Sequence, residues 1–209
     1  MRNAEFGIRN AEDGLPLGER FAEALRLIDE ANARDPRTEV FEGQPQPREL
    51  LFSLSTYGWV SRLIDLPSEA LLLATRGHTL RRWMIPRDRY PKSNVGYHGW
   101  RDALAAFHAD EMGRILRAVG YEEALIERVR ALITRKLWPA DLEARALEDA
   151  DCLAFLELKL AGYVSEWGEE KTVNILRGTW VKMTPRARDL ALGLPLAPRE
   201  KALLAQANS

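Results

Sequence analysis

The chain has one cysteine, Cys152, and only three histidines in 209 residues. A lone thiol cannot close an intramolecular disulfide, which suits a reducing cytoplasm. No apolar run approaches the roughly 18 to 20 residues needed to cross a bilayer, and no basic segment followed by a hydrophobic stretch marks the start as a secretory signal. We therefore expect a cytoplasmic protein with no membrane partner. The formal net charge of −1 gives no overall pull toward nucleic acid, so any such attraction must come from a local patch. Also lacking are a Gly-x-x-x-x-Gly-Lys-Ser/Thr phosphate loop, a strand-borne Gly-x-Gly-x-x-Gly, a Gly-x-Ser-x-Gly elbow and a His-Glu-x-x-His pair. Cys152 falls in an apolar segment, where packing is its default role.

What is present is helical periodicity. With 46% hydrophobic residues the chain can bury a substantial core, and its length suits one domain. The opening Arg2 to Gly7 recurs imperfectly as Arg9 to Gly14; two copies are too few for a repeat architecture, so residues 1–17 read as a loose extension. Residues 18–196 read as one domain and 197–209 as a short helix or tail. Phe21, Leu25 and Ile28 stripe a first helix, Phe41 to Pro47 reads as a loop, and Pro47 starts a second helix running to Ile64. Pro67-Ser68 opens a third on which Leu71, Ala74 and His78 share a face. Met84 to Gly96 reads as a long loop, followed by helices over Tyr97 to Gly120, Glu122 to Lys136, Leu142 to Tyr163 and Glu169 to Met183. Short helices then start at Thr184-Pro185 and Pro198. The expected fold is an all-α, single-domain helical bundle.

His78, His108 and Asp149 occupy apolar positions of the third, fourth and sixth of these helices. Burying an imidazole or a carboxylate without a partner costs several kcal/mol, so the pattern points to one divalent ion held between helices. Neutral imidazole and carboxylate suit manganese, zinc, iron or nickel. The bland rival is that each histidine simply bonds to backbone or acids in the core. Asp151 competes with Asp149, because the two lie about 200° apart on a helix and cannot both face one ion. Glu49 is a conceivable further ligand, although an acid there also complements a helix N-terminus.

A second cluster surrounds His78. Arg76, Arg81, Arg82, Arg87, Arg89 and Lys92 face a single nearby acid, Asp88, with Trp83, Tyr90, Tyr97 and Trp100 interleaved. Guanidinium groups grip phosphate and aromatic faces accept a stacked base. Arg82, Arg87, Arg101 and Lys136 are candidate phosphate contacts, with Trp83, Tyr90 and Trp100 beside them. The same patch would serve a non-catalytic protein that binds RNA or an acidic partner.

His78, the run Arg82-Trp83-Met84-Ile85-Pro86-Arg87, Tyr90-Pro91, Gly96-Tyr97, Trp100-Arg101, Phe107-His108-Ala109 and Leu147-Glu148-Asp149 together resemble an uncharacterised family, domain of unknown function 4202. The likeness spans about Arg20 to Leu192 and implies no established activity. More distantly, ligands in the order His, His, Asp are similar to the HD-domain metal phosphohydrolases, and Ala150-Asp151-Cys152-Leu153 imitates the segment carrying their last ligand, favouring Asp151. The adjacent His-Asp pair of that superfamily is absent, since Thr79 follows His78. These likenesses imply an HD-like, metal-dependent hydrolase acting on a phosphorylated substrate, a nucleotide or an RNA end.

Overall fold

The computed structural model describes residues 18–208; the expected N-terminal extension lies outside them. Ten α-helices and one small hairpin make up the described fold. Helix α1 (Glu19–Asn32) leads into strands β1 (Thr38–Phe41) and β2 (Gln44–Pro47), followed by α2 (Arg48–Leu63) and α3 (Glu69–Gly77). Two single 3-10 turns, Arg82–Met84 and Arg87–Arg89, precede α4 (Asn94–Ala118). The chain finishes with α5 (Glu123–Ile133), α6 (Leu142–Leu158), α7 (Leu160–Trp167), α8 (Glu169–Lys182), α9 (Pro185–Leu192) and α10 (Pro198–Asn208). None of the described helices is long and apolar enough to cross a membrane.

The all-α expectation holds, and the departures have local causes. Residues 41–47 form part of an antiparallel hairpin rather than a loop, with Glu42 and Gly43 at φ 50° and 77° supplying its turn. Left-handed dihedrals at both turn residues match the strand twist. Pro45 and Pro47 are tolerated because a two-stranded ribbon has only edge strands. Helix α4 begins three residues before Tyr97, because the Ser93 hydroxyl accepts the Gly96 N–H and caps it. The sixth expected helix is two: Lys159 at φ −116° breaks the run between α6 and α7. Helix α5 ends at Ile133, short of Lys136.

Helices α2 and α6 pack against each other at the centre, and α3 is buried nearly all round, Leu71, Leu72 and Leu73 being inaccessible. Leu203, Leu204 and Ala207 are buried where α10 packs on α8, so the C-terminal segment belongs to the fold. The end of α3 meets α4 closely: a Cβ on Gly77 would lie 2.1 Å from Sδ of Met112. That approach sets the turn carrying His78 against the helix carrying His108. Next, Arg81 adopts a left-handed φ of 55° and donates its N–H to Oδ1 of buried Asn32 at 3.0 Å. The segment bearing Arg82 is thereby fixed.

Candidate functional site

His78 caps the C-terminus of α3 with helical dihedrals, and its side chain is largely buried. Its Nδ1 meets the Thr75 carbonyl at 2.7 Å and its Nε2 meets Oδ1 of Asp151 at 3.2 Å. Both partners are acceptors and a neutral ring has one N–H, so a neutral His78 can donate to only one of them. The ring also packs 5.8 Å, centroid to centroid, from Phe52. The other oxygen of Asp151 lies 3.3 Å from Nη2 of Arg135. Burial opposes the charge of Asp151, but the hydrogen bond and charge of His78, with Arg135 and Arg101, outweigh it and hold the carboxyl well below the usual range.

His108, on α4, is 2% exposed. Its Nδ1 donates to the Leu80 carbonyl at 2.8 Å, which leaves Nε2 as a lone-pair acceptor, and that atom has no partner. Burial, with the Arg82 guanidinium next in weight, pushes this imidazole down to about 3; the bond to Leu80 works the other way. A buried acceptor without a partner costs roughly 1–3 kcal/mol.

Three cations gather around these groups. Arg82 and Arg101 are half-buried, and each feels Asp151. Burial holds Arg82 below its ordinary value, while Arg101 is raised because Asp151 and Tyr97 outweigh its burial. Lys159, at the α6–α7 break, places Nζ 3.4 Å from the Phe52 ring centroid. Burial brings its ammonium down to about 8, with Arg82 and Arg48 pushing the same way against Glu49 and Asp151. Among the described residues none of Arg82, Arg101 and Lys159 has a carboxylate salt-bridge partner, in contrast to Arg37, Arg48, Arg76, Arg81, Arg114 and Arg135. Tyr163 of α7 feels Arg82, Arg48 and Tyr97 and completes the group.

Other candidates are placed elsewhere. Asp149 is not part of the cluster: its two oxygens accept the backbone N–H and the hydroxyl of Thr184, tying α6 to the start of α9. Asp151 is the α6 carboxylate that faces His78. Glu49 bonds Arg37 at 3.0 Å through Oε1 and leaves Oε2 buried and unpartnered; its charge reaches Lys159 and Arg82. Arg87 spends its guanidinium on the Tyr90 and Pro91 carbonyls, at 2.8 and 2.9 Å, and so clamps its own loop. Trp100 donates Nε1–H to the Ile85 carbonyl while its ring lies under Arg82, 4.8 Å away. Trp83 and Tyr90 are half-buried in that loop. Lys136 is exposed beyond the end of α5, and nothing draws it into the cluster.

Sequence reasoning missed Lys159, Phe52, Arg135 and Tyr163. Lys159 carried one signal, a lone cation inside a nearly continuous apolar stretch. Among the described residues no three His, Cys, Asp or Glu side chains converge closely enough to cage an ion. Of the candidate ligands, only the His78–Asp151 pair has the separation of neighbouring donors on one ion. Bonds of about 2.1 Å at tetrahedral or octahedral angles set donors about 3.0–3.4 Å apart, and His78 Nε2 and Asp151 Oδ1 are 3.2 Å apart. A family model described as a domain of unknown function, DUF4202, matches residues 22–204. No curated protein and no solved structure matches the chain.

Proposed function

The chain belongs to the DUF4202 family, whose description names no activity, and from the geometry we propose a hydrolase of phosphorylated compounds, a small molecule or an RNA end. One observation carries the reading: Arg82, Arg101 and Lys159, all without a carboxylate partner among the described residues, gather at the His78–Asp151 pair and the unpartnered Nε2 of His108. The three half-buried cations share the charge of Asp151 and have no carboxylate salt bridge of their own, and a phosphoryl dianion complements the charge left over. In this reading Arg82, Arg101 and Lys159 bind the phosphoryl oxygens and the charge that develops on them. The His108 lone pair is the open acceptor for the proton of an attacking water. An anion on Arg82 and Arg101 removes part of what depresses His108, making it a better base when substrate is present.

A metal-dependent, HD-like form is the second reading, favoured by the way both histidines are held. Each bonds a backbone carbonyl through Nδ1, which orients Nε2 as metal-ligating histidines are oriented by their outer partners. His78 and Asp151 would be the protein ligands of the divalent ion, the rest of its shell coming from water and substrate, and the ion when bound supplies an activated water near neutral pH. The test is phosphate release from sugar phosphates, nucleotides and end-phosphorylated oligoribonucleotides, with and without added manganese or zinc. Turnover that His108→Ala and Arg101→Ala abolish is the expected result; no release from any of these substrates under either condition overturns the hydrolase.

A further inference from the structure

A second group of cations lies away from this cluster. Between the turn after α5 and the foot of α9 the surface opens into a recess of about 400 Å³, within the roughly 300–1,000 Å³ of small-molecule sites. Its lining includes Arg145, Lys182 and Arg188 together with the apolar Trp138, Val181 and Pro185. Trp138 and Val181 are 39% and 78% exposed. The nearest acids are already engaged: Asp149 by Thr184 and Glu148 by two cations. Arg145, Lys182 and Arg188 outnumber the two neighbouring carboxylates, Asp149 and Glu148, and with the part-exposed Trp138 beside them the recess suits a flat anion.

The same lysine leads back to His78. Lys182 Nζ lies 3.4 Å from Oε1 of buried Glu148, and Oε2 of Glu148 lies 3.0 Å from Nη2 of Arg135. That one nitrogen also faces Oδ2 of Asp151 at 3.3 Å. Nη2 of Arg135 thus ion-pairs with Glu148 while hydrogen-bonding Asp151, so the two carboxylates share its charge, and Lys182 offsets part of the charge of Glu148. Arg135 itself sits at a left-handed φ of 59°, a conformation that costs a non-glycine residue about 1–3 kcal/mol.

We propose that this recess is an effector site for a small flat anion, joined to the His78–Asp151 pair through Lys182, Glu148 and Arg135. An anion seated on Lys182 draws the ammonium from Glu148, Glu148 then takes a larger share of Arg135, and Asp151 is left to His78 alone. The coupling is reciprocal, so whatever binds at His78 and Asp151 alters the recess equally.

The test titrates the full chain with 1-naphthalenesulfonate, a flat anion that cannot be hydrolysed as a phosphate ester, following binding by calorimetry and the His78 ring by NMR. Lys182→Met and Arg145→Met are expected to weaken binding about tenfold each, while Arg101→Ala leaves it unchanged. Binding should move the His78 ring signal in the wild type. In Glu148→Gln the probe should still bind but the His78 signal should stay still. Absence of binding, or binding lost in Arg101→Ala but kept in Lys182→Met, overturns the site. A His78 signal that never moves, or that moves equally in Glu148→Gln, overturns the connection. None of these readings needs catalytic activity, so they stand apart from the hydrolase test.

Discussion

His108 donates its Nδ1–H to the carbonyl of Leu80 across 28 residues of chain, at 2.8 Å, and so locks the α4 helix to the turn that follows His78. The bond fixes the tautomer and leaves the opposite nitrogen as an acceptor inside the protein. It also makes the fold sensitive to acid. The unfolded chain takes up a proton on this imidazole near 6.5, whereas the folded protein resists until about 3. Between those values the unfolded state binds more protons, so stability rises with pH and is lost as pH falls.

Urea unfolding of wild type at steps from pH 7 to pH 4 should therefore show a loss of a few kcal/mol, roughly the order set by 1.36 kcal/mol per pH unit. His108→Leu should have a shallower acid slope. Asp151 adds stability that is fully present above its unfolded value, near 3.8, and is lost only as pH falls below it, outside the pH 7 to pH 4 range of the experiment. Equal slopes in wild type and His108→Leu would show that the imidazole is not held neutral.

Burial brings the amine of Lys159 down to about 8, below the ordinary lysine value of about 10.4. At pH 8 an acylating reagent at limiting concentration should modify Lys159 ahead of the surface lysines, as read by mass spectrometry of peptides. Added phosphate should protect it. Labelling that ranks Lys159 with or behind Lys171 and Lys201, or that phosphate does not slow, counts against a cation poised for an anion.

The two α6 carboxylates should separate by phenotype. Asp149→Asn weakens the tie to Thr184 and is expected to cost about 1–3 kcal/mol of stability with phosphate binding intact. Asp151→Asn removes the charge facing His78 and should alter the His78 ring signal. If instead Asp149→Asn moves His78, the assignment of the two faces of α6 is reversed.

The helical character of the chain was legible because apolar residues recur at three and four positions, a pattern that burial enforces. That His78, His108 and an α6 acid are polar groups buried in the helical core was legible, because polar groups on apolar faces are costly. The choice between Asp149 and Asp151 was not, since each has its own apolar stripe and only the docking of α9 decides. Thr184 takes Asp149, and no local rule announces a partner 35 residues away. Arg87 and Arg82 look alike in sequence, yet one clamps carbonyls of its own loop and the other remains unpaired. The break at Lys159 was hidden because residues on both sides carry helical periodicity.

Calorimetric titration of inorganic phosphate into the metal-free full chain bears most directly on the cluster. Wild type should bind, and Arg101→Ala and Lys159→Ala should each weaken binding by about tenfold, equivalent to 1.4 kcal/mol, while Lys136→Ala and Asp149→Asn leave it unchanged. Wild type that takes up no phosphate, or affinities the same in all five proteins, would contradict the assignment of Arg101 and Lys159 to a phosphoryl site.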